Sequence, residues 1–493
     1  MLMTRVRRTA SRLPPPHKPQ GVLVEVDGDN GRPLSCSGLR WGRLVLTHGS
    51  LLPPGKAPAA PGGRLAPTGS PDLRSRIVGE DGRLGGRVVA AWRCPLLDAT
   101  AAELASKGWN FPNADLALFL VIQVDDPFQP DLTLDEVRAE LQTLLSEWVT
   151  APVTGQAVLL EATPFGAGHF FLNTWTKGII NKVTGQGQSI ILCDSHAAPG
   201  SEGGALYSVG TEGRKVLLGL VVQTIFKVRG EAVSLCMAAS LQTVLSTALG
   251  ILTENITKPL PSDSPEVASR GVALLRHGGA WASAVALDSA KGIYLTCAHV
   301  LQADSKNSVL LQWTNGSGPV AASILYLSPS SSAFDVALLK TAAAPGPKVA
   351  PKISRRLPTK GEIVEVIGYG LLSPPGPEKT LHGPLVSRGC ISQVWPHMLQ
   401  TSCAVHCGNS GGAVLQGQEL VGLVVGHTEV TYTDPELPKN WPRINFAVPL
   451  AAIANPIERF LKTGDEKYLD ALGNFDKEAT RLWQLNPIPK SKL

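Results

Sequence analysis

Gly408-Asn409-Ser410-Gly411-Gly412 sets one hydroxyl among three glycines, a pattern suited to an activated nucleophile. A serine that attacks a carbonyl needs a base for its proton and N–H groups aimed at the oxyanion that forms. Glycine lets the chain turn tightly enough for the amides of Gly408 and Ser410 to converge on one point. The base is expected at His299, in Thr296-Cys297-Ala298-His299-Val300, just after the apolar run Ile293-Tyr294-Leu295. A carboxylate to orient it is expected at Asp335, ahead of Val336-Ala337-Leu338-Leu339. Along the chain the order is His299, Asp335, Ser410. In this arrangement His299 takes the proton of Ser410 and returns it to the leaving amine, while Asp335 fixes the imidazole tautomer. The bland alternative, three unrelated polar residues, needs three ordered signatures to coincide.

These residues resemble the trypsin-like serine proteases, and the order is theirs rather than that of the subtilisin or α/β-hydrolase types. Ile444-Asn445-Phe446-Ala447-Val448-Pro449 and Gly422-Leu423-Val424-Val425-Gly426 resemble strands of the HtrA/Deg branch. The resemblance covers about residues 267–462 and implies catalytic residues His299, Asp335 and Ser410 with an oxyanion hole from Gly408 and Ser410. It also implies a specificity pocket with Ala404 at its floor and His427 on its wall. No charge at Ala404 is available for Lys or Arg, so a small or modestly sized uncharged residue, cysteine among the options, is expected before the scissile bond. Asn409 stands where secreted trypsins carry an ion-pairing Asp, so activation by a newly cut N-terminus is not expected. Arg76-Ile77-Val78-Gly79 imitates such an activation site far upstream of His299, and is read as a surface loop. A PDZ domain, usual in HtrA relatives, is not expected in the short stretch given after Leu461.

The elements that position the site are expected to occur twice. Leu46-Thr47-His48-Gly49-Ser50 aligns with Leu295-Thr296-Cys297-Ala298-His299, and the segment of Asp115 with that of Asp335. The block from Gly155 to Phe165-Gly166 aligns with that from Gly361 to Tyr369-Gly370. Gly200-Ser201-Glu202-Gly203-Gly204 aligns with the nucleophile turn, and Leu218-Gly219-Leu220-Val221-Val222 with the strand after it. Ser50 replaces His299 and Glu202 replaces Ser410, while His48 sits two residues away, roughly 7 Å along a strand. The front copy is therefore expected to be catalytically dead, and to pack on the rear copy or help select substrates.

At 493 residues, with many short β-rich runs broken by Gly and Pro, the chain reads as all-β. Tandem double β-barrel domains are expected, the front one degenerate and each closing with a C-terminal helix. The expected divisions are a basic tail (1–20), a degenerate domain (21–253), a linker (254–266), the catalytic domain (267–462) and a tail (463–493). Residues 53–76 read as an extended insertion. Residues 232–253 lack charge, but Ser234 and further polar residues dilute the run, so a packed helix is favoured over a membrane span. Net charge is only +5, with no basic stripe interleaved with aromatics, so no nucleic-acid partner is indicated. Arg5, Arg7, Arg8 and Arg12 leave a mitochondrial presequence open, although Pro14-Pro15-Pro16 argues against its helix. Eight cysteines without disulfide-type placement are expected to be free thiols. Cys403, His406 and Cys407 lack a second ligand pair, so neither metal nor cofactor is expected.

Ser491-Lys492-Leu493 matches a peroxisomal address read by an import receptor. Together with a dead and a live protease-like copy, it resembles the peroxisomal (glyoxysomal) leader-peptide-processing proteases. That family implies a peroxisomal-matrix serine endopeptidase acting on imported matrix proteins, β-oxidation enzymes among them. It also implies self-association and self-cleavage. The competing readings are a non-catalytic peptide-binding scaffold and an HtrA-like quality-control protease.

Overall fold

Runs such as Leu118-Phe119-Leu120-Val121-Ile122-Gln123-Val124 are buried at every position, as strands covered on both faces should be. The computed structural model describes residues 18–28, 33–52, 63–68, 74–80, 82–111, 115–209, 215–224, 227–228, 231–233, 235–251, 270–302, 308–314, 318–342, 350–371, 383–429 and 440–473. Within these residues the strands close into four six-stranded rings. Closure removes the free edges on which strands would otherwise aggregate.

The first ring takes Gln20–Asp27, Pro33–Trp41, Leu44–His48, Leu118–Val124, Gly82–Arg93 and Arg74–Gly79. The second takes Ala157–Ala162, Thr174–Thr184, Ile190–Cys193, Cys236–Ser240, Lys215–Gln223 and Ala205–Val209. The third is built from Val272–His277, Ala280–Asp288, Ile293–Thr296, Ala337–Thr341, Val320–Leu327 and Val309–Gln312. The fourth comprises Ile363–Gly368, Leu385–Trp395, Met398–Thr401, Asn440–Pro449, Glu419–Glu429 and Ala413–Gln416. Side-chain alternation gives each strand two apolar faces. Leu118, Leu120 and Ile122 fill the first ring, whereas Phe119 and Val121 join the core between rings. In the rear pair Leu275 and Tyr294 fill one ring while Leu274 and Leu295 face the shared core.

Helices Leu241–Leu249 and Leu450–Thr463 follow the last strand of each pair. Each stops at a glycine in the left-handed region, Gly250 (φ 71°) and Gly464 (φ 76°). Only part of the uncharged run at 232–253 is helical, because Cys236–Ser240 is spent as a barrel strand. No helix among the described residues is long and apolar enough to cross a membrane.

Three features differ from the sequence reading. Arg76-Ile77-Val78-Gly79 is not a surface loop but most of strand Arg74–Gly79, with Ile77 buried in the first ring. The strand pairs with both Gln20–Asp27 and Gly82–Arg93, which a loop could not do. The insertion at 53–76 is also narrower than expected, since Ala66–Pro67 pairs with Ala90 and Ala91. Helices Pro95–Ser106 and Leu134–Trp148 decorate the front pair. The second begins with a capping box between Thr133 and Glu136, and buries Val137, Leu141 and Leu144. The basic tail up to residue 17, the linker at 254–266 and Ser491-Lys492-Leu493 lie outside the described residues.

Candidate active site

Strand Ile293–Thr296 pairs with Ala337–Thr341, Thr296 opposite Ala337. That register brings His299, just beyond one strand, to Asp335, just before the other. Asp335 grips His299 twice. Its Oδ1 accepts the backbone N–H of His299 at 2.9 Å, and Oδ2 is hydrogen-bonded to Nδ1 of the ring. A carboxylate bound at both backbone and ring fixes where the imidazole sits and which nitrogen stays free. Cys297 lies beneath the pair, with donor atoms of Cys297, His299 and Asp335 within 4.8 Å of one another. Burial pushes the Cys297 thiol well above its usual range, and Sγ donates to the Val424 carbonyl at 3.1 Å. The thiol therefore keeps its proton.

The Ser410 turn is forced by crowding. Gly408 has φ 94°, and a Cβ there would approach the Tyr369 carbonyl oxygen to 2.4 Å. At Gly411, φ 78°, a Cβ would come within 2.1 Å of the Ser283 carbonyl oxygen. Neither position admits another residue without moving backbone. The turn's internal bonds use the amides of Asn409 (to His406 O, 3.0 Å) and Gly412 (to Asn409 O, 2.8 Å). Gly411 N–H donates to Val424 O at 2.8 Å. Among the described residues the amides of Gly408 and Ser410 are left out of this bonding. The Ser410 hydroxyl donates to the Val425 carbonyl at 3.0 Å rather than to His299.

Ser283, which the sequence reading did not single out, ties the turn together. It is fully buried. Its Oγ donates to Gly408 O at 2.8 Å and accepts the Tyr369 N–H at 2.8 Å, while its own N–H donates to Ser410 O at 2.8 Å. Thr296 Oγ1 in turn donates to Ser283 O at 2.8 Å, linking the turn to the strand that carries His299. Ser283→Ala would remove this partner from the buried Tyr369 N–H, at about 1–3 kcal/mol, and from the half-buried Gly408 carbonyl. It is expected to lower kcat by about 10–100-fold through loss of register in the turn. Steady-state kinetics beside a thermal melt will test this, and an unchanged kcat would remove Ser283 from the site.

The front pair repeats the scaffold bond for bond. Ser37 Oγ donates to Gly200 O at 2.9 Å and accepts Thr163 N–H at 2.8 Å. Ser37 N–H donates to Glu202 O at 2.8 Å, and Thr47 Oγ1 donates to Ser37 O at 2.7 Å. Gly200 and Gly203 have φ 90° and 82°, matching Gly408 and Gly411. The side chains at the turn differ. The Glu202 carboxylate folds back onto Gly200 N–H at 2.8 Å and accepts the Thr224 hydroxyl at 2.8 Å. An anion thus fills the place that an oxyanion would need. Asp115 accepts from Arg93 at 2.8 Å. His48 is buried, its Nδ1 accepting Ser50 N–H at 3.2 Å and its Nε2 facing Leu116 O at 3.1 Å.

Burial depresses the His48 pKa to about 4. The folded chain keeps this imidazole neutral, whereas the unfolded chain takes up a proton below its ordinary value near 6.5. Stability from His48 is therefore complete above that value and is lost as pH falls toward 4, by roughly 3 kcal/mol in all. Melting temperatures of wild type and His48→Gln across that range should converge as pH falls. Parallel curves would show that His48 does not titrate on unfolding.

Ala404 is buried, and its N–H donates to Ser387 Oγ at 2.6 Å. His427 lies on strand Glu419–Glu429, paired with Asn445, and its side chain is outside the described residues. Asn409 is buried with Oδ1 unpartnered among the described residues, so no ion pair forms there. All eight cysteines are free thiols.

A family model described as trypsin-like peptidase domain matches residues 282–426, a span containing His299, Asp335 and Ser410. The rear barrels are thus similar to a trypsin-like peptidase domain over that span. The chain is 28% identical over 378 residues to a mouse protein named peroxisomal leader peptide-processing protease, covering 70% of this chain and 63% of that one. It is 27% identical over 370 residues to a human protein of the same name, covering 69% and 62% respectively. The chain therefore spans less than two thirds of the length of these relatives. Both bear the name that the sequence motifs suggested. Among solved structures, an HtrA-type protease with a tripeptide is similar at 22% identity and a TM-score of 0.31, over 41% of this chain and 63% of that one.

Proposed function

We propose that this trypsin-like domain is a serine endopeptidase that removes leader peptides from imported peroxisomal proteins. The observation that carries the reading is the double grip of Asp335 on His299, beside a glycine turn that leaves two amides unspent. The Ser410 hydroxyl first turns from Val425 O toward the free imidazole nitrogen. Its oxygen then bonds to the substrate carbonyl carbon as its proton passes to His299. The resulting oxyanion is met by the N–H groups of Gly408 and Ser410. Collapse breaks the C–N bond, and His299 gives the proton to the leaving amine. Water, deprotonated by His299, then cleaves the acyl–serine ester.

Ala404 supports a preference for a small uncharged residue before the scissile bond, with His427 as the second determinant. The front barrels are inactive in this reading, because Ser50 offers no base and Glu202 fills its own anion socket. The names of the mouse and human relatives support action in the peroxisomal matrix, with Ser491-Lys492-Leu493 as the motif that an import receptor would read. β-oxidation enzymes as substrates, self-cleavage and homo-oligomerisation rest on the family resemblance and belong to the same proposal.

Incubation with leader-bearing peroxisomal enzymes, followed by mapping of product N-termini, tests the function. Cleavage after small uncharged residues is expected, and strong cleavage after arginine would defeat the pocket assignment. A folded protein that a fluorophosphonate probe fails to label would instead be a peptide-binding scaffold.

A further inference from the structure

Strand Thr174–Thr184 of the front barrels lies along Leu385–Trp395 of the rear ones. Its register slips between Ile180 and Lys182, a bulge at Asn181 that breaks the usual alternation of side chains. Two consecutive residues therefore reach the same neighbour. Asn181 Nδ2 donates to Val386 O at 2.6 Å, and the Lys182 ammonium donates to Gly383 O. Both side chains are buried, and a buried ammonium is costly enough that its placement calls for a reason. A third tether runs the other way, from Arg443 Nη2 to Asp194 O at 2.9 Å.

Two of the tethers lead toward residues 403 and 404. Val386 adjoins Ser387, whose hydroxyl accepts the Ala404 N–H. Arg443 lies two residues before Asn445, whose side-chain amide donates to Cys403 O. Ala404, Leu371 and Leu385 belong to one contiguous buried cluster with the front-barrel residues Leu192, Leu217 and Leu220. The rear-barrel strands that hold Cys403 and Ala404 are thus tied to the front barrels, and Ala404 shares a buried core with them.

We propose that the front barrels act as a positioning element for the specificity pocket, with Asn181, Lys182 and Arg443 setting where Ala404 lies. This rests on the serine endopeptidase reading and deepens it. Their bonds run to Val386, Gly383 and Asp194 rather than to Ser410, so their removal should alter which peptide is accepted more than how fast the serine reacts.

Asn181→Leu, Lys182→Met and Arg443→Leu, made in the full chain, test the idea, with Arg443→Lys as the conservative variant. The labelling rate with a fluorophosphonate reports the serine itself, and a peptide library with kcat and KM reports the pocket. Labelling within about threefold of wild type is expected, with KM raised about tenfold and discrimination against bulky residues reduced about tenfold. Arg443→Lys should recover most of the loss. Arg443 is only half-buried, so Arg443→Leu remains informative if the other variants fail to fold. Folded variants with an unchanged library profile and KM would overturn the proposal, as would labelling and cleavage that fall in equal proportion. Wild-type protein that labels but shows no dependence on the residue before the scissile bond would also overturn it, leaving the endopeptidase reading intact. Unlabelled wild type would instead sink the reading beneath it.

Discussion

Ser410→Ala is expected to lower peptide turnover by about 10⁴-fold or more, with little change in melting temperature. The effect on chemistry is large because the hydroxyl is the atom that would bond to substrate, and the paired His299 and Asp335 have nothing to activate without it. The effect on stability is small because Ser410 Oγ makes one hydrogen bond, to Val425 O, from a half-buried position. Losing such a bond costs about 1 kcal/mol. Single-turnover assays beside a melt separate the two quantities. Residual turnover above about 1% of wild type would point to another nucleophile, since loss of a true one leaves far less.

Asp335→Asn should be nearly as damaging, by about 10⁴-fold in kcat at neutral pH. Asparagine can still accept the His299 N–H through its carbonyl oxygen, so the turn keeps its place. Its NH₂ then faces Nδ1 and donates where the carboxylate accepted. The imidazole must answer with an unprotonated Nδ1, which puts its proton on the nitrogen that should receive one from Ser410. A carboxylate that stabilised the imidazolium has also gone. A proton spectrum of the ring would show the exchanged tautomer, and a kcat within tenfold of wild type would exclude Asp335 from the role.

Much of the site could be read along the chain because its residues announce themselves locally. Glycines around Ser410, an apolar run before His299 and a β-rich run after Asp335 are each visible within a few positions. The duplication was legible for the same reason. What stayed hidden depends on distance. Ser283 and Ser37 are ordinary serines in largely apolar strands, and only their partners 125 and 163 positions away reveal them. Their matching places in the two copies were the one available signal. Asn181 and Val386 are 205 positions apart, beyond any pattern argument. Arg76-Ile77-Val78-Gly79 reads as a loop through its likeness to an exposed activation site, whereas buried Ile77 and the pairing on both sides decide for a strand. Helix Leu134–Trp148 carried a readable Thr133–Glu136 box that the β-rich surroundings obscured. The rotamer of Ser410 is a local choice between acceptors and leaves no trace in sequence.

Since Ser37 makes the same bonds as Ser283 where no reaction is proposed, the molecule supplies its own reference. Ser37→Ala measures what this junction contributes to folding alone, in an almost identical setting. Subtracting its loss from that of Ser283→Ala isolates the share owed to the reaction, a comparison that a protease with one copy could not offer.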